Sequence, residues 1–407
     1  MRVSDSRLPK IRAVDARSVV HRGQPSVLLR DPLRLTDKTV VIPQHLAPLL
    51  TLCDGTRHSS ALRATLAVRG GPIIGQGVLE QLLSQLDEAL LLDNDRFEEA
   101  REEALDQYRQ APFRRPVLAG ESYPADGGEL RYLLRGYIDA VDDVRPDLAG
   151  GRGLVSPHID YGRGWSVYGR VWKRATEMVK ATELVVVLGT DHFGKDGRLT
   201  LTRQHYATPF GVLPTAQDVV DGLAKAMGAE IAFTDELHHR SEHSIELAAV
   251  WLHHIREGQP CQLVPILCGS FDHFIRGEAE PQHDLPMNAL LDALREAMTE
   301  RQGIVVVAGD LSHMGPAFGG NPLGIVERAR LQAADNELIE RICTGDAQGF
   351  YEAVKREGNR HNVCGLPPIY LAVRMLSPVR GEQVAYHRCP ADEKGTSLVS
   401  VCGIVFN

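Results

Sequence analysis

Hydrophobic positions follow two different patterns along the chain, and the change falls near residue 115. Before this point, apolar residues recur every three to four positions, most clearly over residues 75–89, where they are Val78, Leu79, Leu82, Leu83 and Leu86. This period predicts amphipathic helices. After it, short apolar runs such as 184–188 and 304–308 alternate with helical segments. That alternation predicts an α/β fold with a mainly parallel central sheet flanked by helices.

The second pattern defines the expected elements of an α/β domain over residues 116–407. Strands are predicted at 153–156, 183–189, 198–203, 261–268, 303–309 and 398–406. Helices are predicted at 127–141, 164–180, 215–227, 242–256, 286–300, 324–343 and 347–356.

A smaller unit is predicted over residues 29–95. We expect a hairpin over 33–42, three helices between 43 and 89, and a closing strand over 90–94, which together indicate a winged-helix-like domain. Residues 1–28 are basic and weakly patterned, and we interpret them as a mobile N-terminal arm. Residues 96–115 are rich in charge and predict a solvated linker helix.

Composition narrows the class of protein. A chain of 407 residues with 43% hydrophobic content is typical of a globular protein, and its length alone indicates two domains or three. The net charge of -8 makes nucleic-acid binding unlikely, and the winged-helix unit leaves it only as a weaker alternative. No apolar run reaches the length of a membrane helix, and the start of the chain lacks a secretory core. Seven scattered cysteines without a CxxC pair indicate a reduced, cytoplasmic protein.

Three predicted strands are each followed by a loop that carries histidine or aspartate. His158 follows strand 153–156, His192 follows strand 183–189, and Asp310 and His313 follow strand 303–309. Open α/β sheets bind their ligands outside the carboxyl ends of the strands. The repetition therefore indicates one pocket, in which His158 and His192 bind a common metal ion.

Cys364 is the predicted third metal ligand. It lies in segment 361–368, which we expect to be a loop that ends in a proline pair, and Gly365 would let the backbone approach closely. A His/His/Cys set leaves coordination positions open, as in catalytic sites, and suits iron or copper, with zinc as a further candidate. A lone cysteine is also a common core residue, so the prediction requires that the thiol meets both rings.

Three further residues are candidates for acid–base roles. Asp310 could hold a ring nitrogen of a ligand, or instead cap a helix that starts near Ser312. His313 could move a proton. His243, at the start of helix 242–256, could stay neutral and bind an anionic or carbonyl group, or instead be a surface cap. We interpret the remaining histidines of this region as solvated: His238, His239, His253 and His254.

Six ordered motifs of residues 116–407 resemble the Memo family, whose bacterial members are called AmmeMemoRadiSam system protein B. They are Gly120-Glu121-Ser122-Tyr123-Pro124, Pro157-His158-Ile159-Asp160-Tyr161, Leu188-Gly189-Thr190-Asp191-His192, Glu242-His243-Ser244-Ile245-Glu246, Gly309-Asp310-Leu311-Ser312-His313 and Cys364-Gly365. The resemblance implies a fold like that of class III extradiol dioxygenases and an iron or copper site. It places the metal ligands at His158, His192 and Cys364, with Asp310, His313 and His243 in or beside the pocket.

The sequence departs from these relatives at three positions. The dioxygenases have a carboxylate where this chain has Cys364, which argues against ring cleavage. Asp160 stands where the Memo branch used for comparison has a glycine, and an extra carboxylate there could change the ligand set. Ser122 stands where that branch has a tryptophan.

The N-terminal unit resembles PqqD-like winged-helix domains through Leu52-Cys53-Asp54-Gly55-Thr56-Arg57 and Leu90-Leu91-Leu92. This resemblance implies a peptide or a radical-SAM protein as partner. The leading hypothesis is therefore a metal-dependent, dioxygenase-like oxidoreductase. One alternative is a non-catalytic adaptor that binds metal or peptide. Another is a zinc-dependent hydrolase, which lacks a clear general-base glutamate beside the ligands.

Overall fold

The apolar runs after residue 150 form the centre of one large sheet. The structure is a computed structural model, and it describes residues 9–68, 74–142 and 150–407. The chain divides into two units, Met1–Gln110 and Ala111–Asn407. This division falls a few residues before position 115, where the hydrophobic pattern changes.

In its described residues, the first unit combines a small antiparallel sheet with four helices. Its strands pair in the order β1-β2-β3. Its core is mainly leucine, including Leu29, Leu49, Leu62 and Leu86, and the third strand adds Val40 and Ile42. The elements are β1 (Asp15–His21), β2 (Gln24–Arg30), β3 (Val40–Pro43), α1 (Pro48–Leu52), α2 (Ser59–Val68), α3 (Gln76–Glu88) and α4 (Asp95–Gln110), with a 3-10 turn at Gln44–Leu46.

The sequence prediction for the start of the chain was wrong. Residues 15–30 are not an arm but a hairpin, closed by Arg22 and Gly23, which have φ angles of 49° and 76°. Two consecutive positive φ values are the geometry of the tight turn that suits twisted hairpins. The hairpin expected over 33–42 does not form, because Val40–Pro43 pairs with β2 instead. The largely exposed β1 carries too little apolar pattern to predict a strand.

The second unit contains the remaining elements. Its strands are β4 (Gly153–Ser156), β5 (Leu184–Thr190), β6 (Leu199–Leu201), β7 (Tyr206–Thr208), β8 (Gly211–Leu213), β9 (Gln262–Cys268), β10 (Ile304–Ala308), β11 (His313–Met314), β12 (Gly381–Pro390) and β13 (Leu398–Phe406). Its helices are α5 (Gly127–Asp139), α6 (Tyr161–Arg174), α7 (Thr176–Ala181), α8 (Gln217–Met227), α9 (Ala229–Phe233), α10 (His238–Ser241), α11 (Ser244–Ile255), α12 (Asp272–Ile275), α13 (Leu285–Arg301), α14 (Ile325–Cys343), α15 (Ala347–Arg356) and α16 (Leu366–Leu376). Short 3-10 turns lie at Pro281–His283 and Pro316–Phe318.

The central sheet confirms the predicted α/β fold with a mainly parallel core. Its strand order is β11-β13-β4-β10-β5-β9-β6, and β12 pairs with β13 at one end. The four middle strands, β4, β10, β5 and β9, run parallel, and the flanking strands pair antiparallel. Every residue of β5 and β10 is buried, as expected for parallel strands that helices cover on both faces.

Several elements of the second unit were not predicted, and for strand β12 and helix α16 the physical reason is clear. Strand β12 lies outside β13 and is only partly buried, so its sequence shows no clear alternation. Helix α16 begins at Leu366 and includes Pro367 and Pro368 in its first turn, where the missing N–H groups would have no helical partner. The proline pair therefore starts a helix, whereas the sequence prediction made it the end of a loop.

Strand order brings three loops to one place at the edge of the sheet. Strand β10 lies between β4 and β5, and its last residue, Ala308, is opposite Ser156 of β4 and Gly189 of β5. The three strands therefore end at nearly the same level.

Within the described residues, no helix combines the length and the apolar character needed to cross a bilayer.

Candidate metal centre

Three side chains leave the strand ends at equivalent positions. His158, His192 and Asp310 each stand two residues after the last residue of β4, β5 and β10. Because the three strands are adjacent and parallel, their loops converge. The ring centroids of His158 and His192 are 5.1 Å apart, and a carboxylate oxygen of Asp310 lies 3.8 Å from Nε2 of His158.

His158 is fixed on both sides. Its Nδ1–H donates to the carbonyl oxygen of Ala308 at 3.0 Å, which leaves Nε2 free to face the pocket. Its backbone N–H donates to Oδ1 of Asp310 at 2.9 Å. Asp310 thus orients the loop of His158 through the backbone, whereas the carbonyl of Ala308 sets the ring tautomer. The helix cap suggested as an alternative for Asp310 does not form, since the residues after it lead into strand β11.

Cys364 brings its thiol to the same point. Sγ lies 3.3 Å from Nε2 of His158. The backbone of this segment is bonded on two sides, because Gly365 N–H donates to Asp310 O at 2.9 Å and the Thr190 hydroxyl donates to Cys364 O at 3.1 Å. A Cβ atom at residue 365 would lie only 2.5 Å from Asp310 O, so the predicted close approach at Gly365 is confirmed.

The thiol of Cys364 and the ring of His158 shift each other's pKa values. Burial opposes ionisation of Cys364, but the charges of His158 and His313 and hydrogen bonds from His158 and His192 outweigh it, so the thiol pKa lies well below its usual value. Burial likewise opposes charge on His158, yet Cys364 and Asp310 raise its pKa to about 9. The pocket therefore favours a thiolate, the form of cysteine that binds metals.

Glu242 holds two imidazoles at once, a role that the sequence did not reveal. Its Oε2 accepts from Nδ1–H of His192 at 3.0 Å, and its Oε1 lies 3.1 Å from Nδ1 of His243. The backbone N–H groups of His192 and His243 also donate to this carboxylate, at 3.1 and 2.7 Å. Although burial opposes its ionisation, the charges of the two histidines hold the pKa of Glu242 well below its usual range.

The potential metal donors around His158 fall into two groups, and neither of them is the predicted set of His158, His192 and Cys364. Among the described residues, two groups of side chains have donor atoms that all lie within 4.8 Å of one another, and both include His158. One group is His158, His192 and His243, and the other is His158, Asp310 and Cys364.

His313 belongs to neither of these two groups. Its Nδ1 is 3.3 Å from Leu311 O and 3.2 Å from Asn362 O, and its ring contacts Phe318 edge-on. Donation from Nδ1–H to these carbonyls leaves Nε2 of His313 free.

A buried network holds the loop that carries Asp310 and His313. The Ser312 hydroxyl donates to Oδ1 of Asp335 at 2.7 Å, and the Tyr386 hydroxyl donates to Oδ2 at 2.7 Å. Ser312 N–H donates to the Ser400 hydroxyl at 2.9 Å. Burial raises the pKa of Asp335 in spite of these hydrogen bonds. Helix α14 and strands β12 and β13 thereby fix the position of the loop.

A buried ion pair supports the start of helix α11. Glu246 is paired with Arg114, and it also accepts from the hydroxyl of Tyr123 at 2.6 Å. Arg114 donates to the carbonyl oxygens of His239 at 2.9 Å and Glu242 at 2.7 Å. Two of the motifs, 120–124 and 242–246, therefore meet in the core through Tyr123 and Glu246.

Comparison with known proteins agrees with these motifs. The family model of Memo-like proteins matches residues 114–405, which is most of the chain. The chain belongs to the Memo family. A MEMO1 family protein of Aquifex aeolicus is 24% identical over 98% of this chain and 99% of its own length. MEMO1 family proteins of Methanopyrus kandleri and Thermococcus kodakarensis are 27% and 28% identical over 72% of this chain, and over 98% and 99% of their own lengths.

One departure from the compared Memo branch has a structural role of its own. The side chain of Asp160 accepts from the backbone N–H of Arg163 at 3.0 Å and pairs with the guanidinium of the same residue, so it caps helix α6. Among the described residues it belongs to neither donor group.

The histidines interpreted as solvated are mostly inside this Memo protein. His238 bonds through Nδ1 to Asp191 at 2.8 Å, and His239 is fully buried between the Tyr206 hydroxyl and Thr200 O. His253 is also buried. The sequence prediction was wrong for these three because adjacent histidines look polar, although the rings of His238, His239 and His253 each have a specific hydrogen-bond partner in the fold.

Proposed function

We propose that this Memo family protein is a metal-binding redox protein that holds iron or copper through His158, His192 and Cys364. The observation that carries the proposal is the way the ligand rings are oriented. His158 and His192 each commit Nδ1–H to a fixed acceptor, Ala308 O or Glu242, and leave Nε2 for the pocket. Histidines that bind metals show this arrangement, because the second hydrogen bond fixes the tautomer and the ring.

The donor set supports iron or copper. Imidazole suits several transition metals, and a thiolate favours softer ones and makes redox chemistry accessible. The bound metal would supply one-electron chemistry or polarise a bound substrate. Three protein ligands would leave a coordination position open for that substrate.

The other pocket residues would orient the metal ligands or transfer protons. Asp310 positions His158 through its backbone N–H, and it lies 3.8 Å from the ring. The charge of His313 acts on the Cys364 thiol, and its Nε2 could accept or donate a proton in the pocket. His243 stands on the other side of the pocket, against the ring of His192.

Metal analysis tests this proposal. We expect protein purified without added metal to carry iron or copper, and we expect His158→Ala and Cys364→Ser to lower that content. Unchanged metal in both variants would overturn the proposed site. Oxygen consumption with added reductant then separates an enzyme from a non-catalytic metal-binding adaptor, which would bind metal without turnover.

A zinc-dependent hydrolase is less well supported. Such an enzyme needs a carboxylate that is free to take a proton from water. Glu242 is the nearest glutamate to the rings, but both of its oxygens are engaged by His192 and His243. A preference for zinc over iron and copper in a competition experiment would favour the hydrolase instead.

We further propose that the first unit binds a radical-SAM protein or a peptide. Strand β1 pairs over its full length with β2, and among the described residues no strand pairs with its other edge, which is the kind of edge that can accept an extended segment. Co-elution of the full chain with a radical-SAM protein from the same organism, lost in Val20→Pro, tests this. Absence of co-elution with the unaltered chain would overturn it.

A further inference from the structure

We propose that His243 is itself a metal ligand, so that three imidazoles, from His158, His192 and His243, surround the ion. The inference rests on the proposed function, because it adds a ligand to the same site. Its starting point is the all-histidine group, in which the donor nitrogens lie within 4.8 Å of one another.

The three rings are packed around one point. The rings of His192 and His243 are nearly parallel, with centroids 5.0 Å apart and 14° between their planes. His158 meets both of them edge-on, at 5.1 and 5.6 Å and at angles of 74° and 76°. The ring of His243 is therefore only 0.5 Å farther from the ring of His158 than the ring of His192 is.

Nδ1 of His243 faces the same carboxylate as Nδ1 of His192. One carboxylate, that of Glu242, holds Nδ1 of both rings, with one oxygen for each. Since a carboxylate accepts, both rings carry their proton on Nδ1 and offer Nε2 as a donor atom. A metal-binding histidine needs this combination, and Glu242 supplies it twice.

The alternative role of His243, a surface cap, does not fit the contacts. His243 occupies the N-cap position of helix α11, but its side chain makes no capping hydrogen bond. The backbone N–H groups of His243 and Ser244 donate to Oε1 of Glu242 instead, at 2.7 and 3.0 Å. Glu242 thus takes over the capping and leaves the imidazole of His243 available.

The experiment compares alanine variants of the full chain after removal of metal by a chelator. Co²⁺ is titrated as the probe, and affinity is measured by calorimetry. We expect His243→Ala to weaken Co²⁺ binding as strongly as His192→Ala, beyond the roughly 10–100-fold that loss of an outer partner gives. Glu242→Gln should fall in that smaller range. His254→Ala, which removes a histidine of the same helix, is the matched control and should bind like the unaltered chain.

A second readout separates a ligand from a merely structural residue. X-ray absorption of the Co²⁺-loaded protein counts imidazole nitrogens around the metal, and the count should fall by one in His243→Ala. His243→Phe retains a ring against His192 but has no donor atom, so it should behave like His243→Ala. Circular dichroism and tryptophan fluorescence show whether each variant is folded.

The outcomes distinguish the two proposals. If the unaltered chain binds no metal, the proposed function fails and the inference with it. If the unaltered chain binds metal, His158→Ala loses it, and His243→Ala and His243→Phe bind normally, the metal site stands and the role of His243 is overturned. An unchanged nitrogen count in His243→Ala would likewise overturn that role.

Discussion

The buried Arg114–Glu246 pair allows a stability prediction with a defined size. Both side chains are only 1% exposed. Besides the ion pair, Glu246 accepts from the backbone N–H groups of Val117 and Leu118, each at 2.8 Å, and from the Tyr123 hydroxyl at 2.6 Å. The perturbation is Arg114→Met, which retains most of the apolar volume and removes the charge.

The expected loss follows from what the substitution leaves behind. The carboxylate of Glu246 stays buried with three neutral donors, and the carbonyl oxygens of His239 and Glu242 lose their guanidinium donor. Removing one partner of a buried ion pair costs about 3–5 kcal/mol of unfolding free energy. Arg114→Met with Glu246→Leu should cost less than the sum of the two single variants, because no charge is then left unpaired.

Urea unfolding followed by tryptophan fluorescence is the assay. The chain has three tryptophans, Trp165, Trp172 and Trp251, and all lie in the second unit, so the signal reports that unit alone. Arg135→Met is the control. Its partner is Asp139, and both side chains are more than 70% exposed, so the loss should stay below about 1 kcal/mol. A loss for Arg114→Met as small as for the control would refute the reasoning.

Two further predictions concern pH and the Cys364 segment. Burial, aided by the charge of Arg114, lowers the pKa of His239 to about 3, against an ordinary value of 6.5. The unfolded chain therefore binds the extra proton first, and His239 destabilises the second unit as the pH falls below 6.5, by up to about 1.4 kcal/mol per pH unit. In His239→Gln, the urea midpoint should change less between pH 7 and pH 5 than in the unaltered chain. The same pH dependence of the midpoint in both proteins would contradict this. Gly365→Ala should displace the thiol, because its Cβ would meet Asp310 O, and Co²⁺ affinity should fall at least as far as in Cys364→Ser; unchanged affinity would contradict it.

The sequence predicted the elements that the core determines. Strands β4, β5, β9, β10 and β13 are apolar because they are buried, and their predicted bounds agree with the structure to within one residue at each end. The prediction missed elements that are defined by pairing with a neighbouring strand. Strand β12 is partly exposed and is defined by pairing with β13, and β1 is defined by its turn and by β2.

The same distinction holds at the candidate metal centre. His158, His192 and Asp310 could be predicted to converge, because parallel strands bring their carboxyl ends to one edge. Cys364 was proposed as the third ligand from its loop-like segment and Gly365, and the family resemblance indicated the same residue, since its distance along the chain gives no local signal. The double role of Glu242 could not be predicted, because it depends on two rings from different elements reaching one carboxylate.

The motif at residues 242–246 joins the stability of the second unit to the geometry of the site. Its two glutamates have separate tasks: Glu246 pairs with Arg114 in the core, and Glu242 holds His192 and His243 at the pocket. Arg114 connects the two, because it also bonds the carbonyl oxygen of Glu242. The ion pair therefore fixes the backbone of Glu242, whose carboxylate accepts from the imidazoles. The pair thereby holds the imidazole donors of the pocket in place before any ligand binds, which is the preorganisation that a binding site requires.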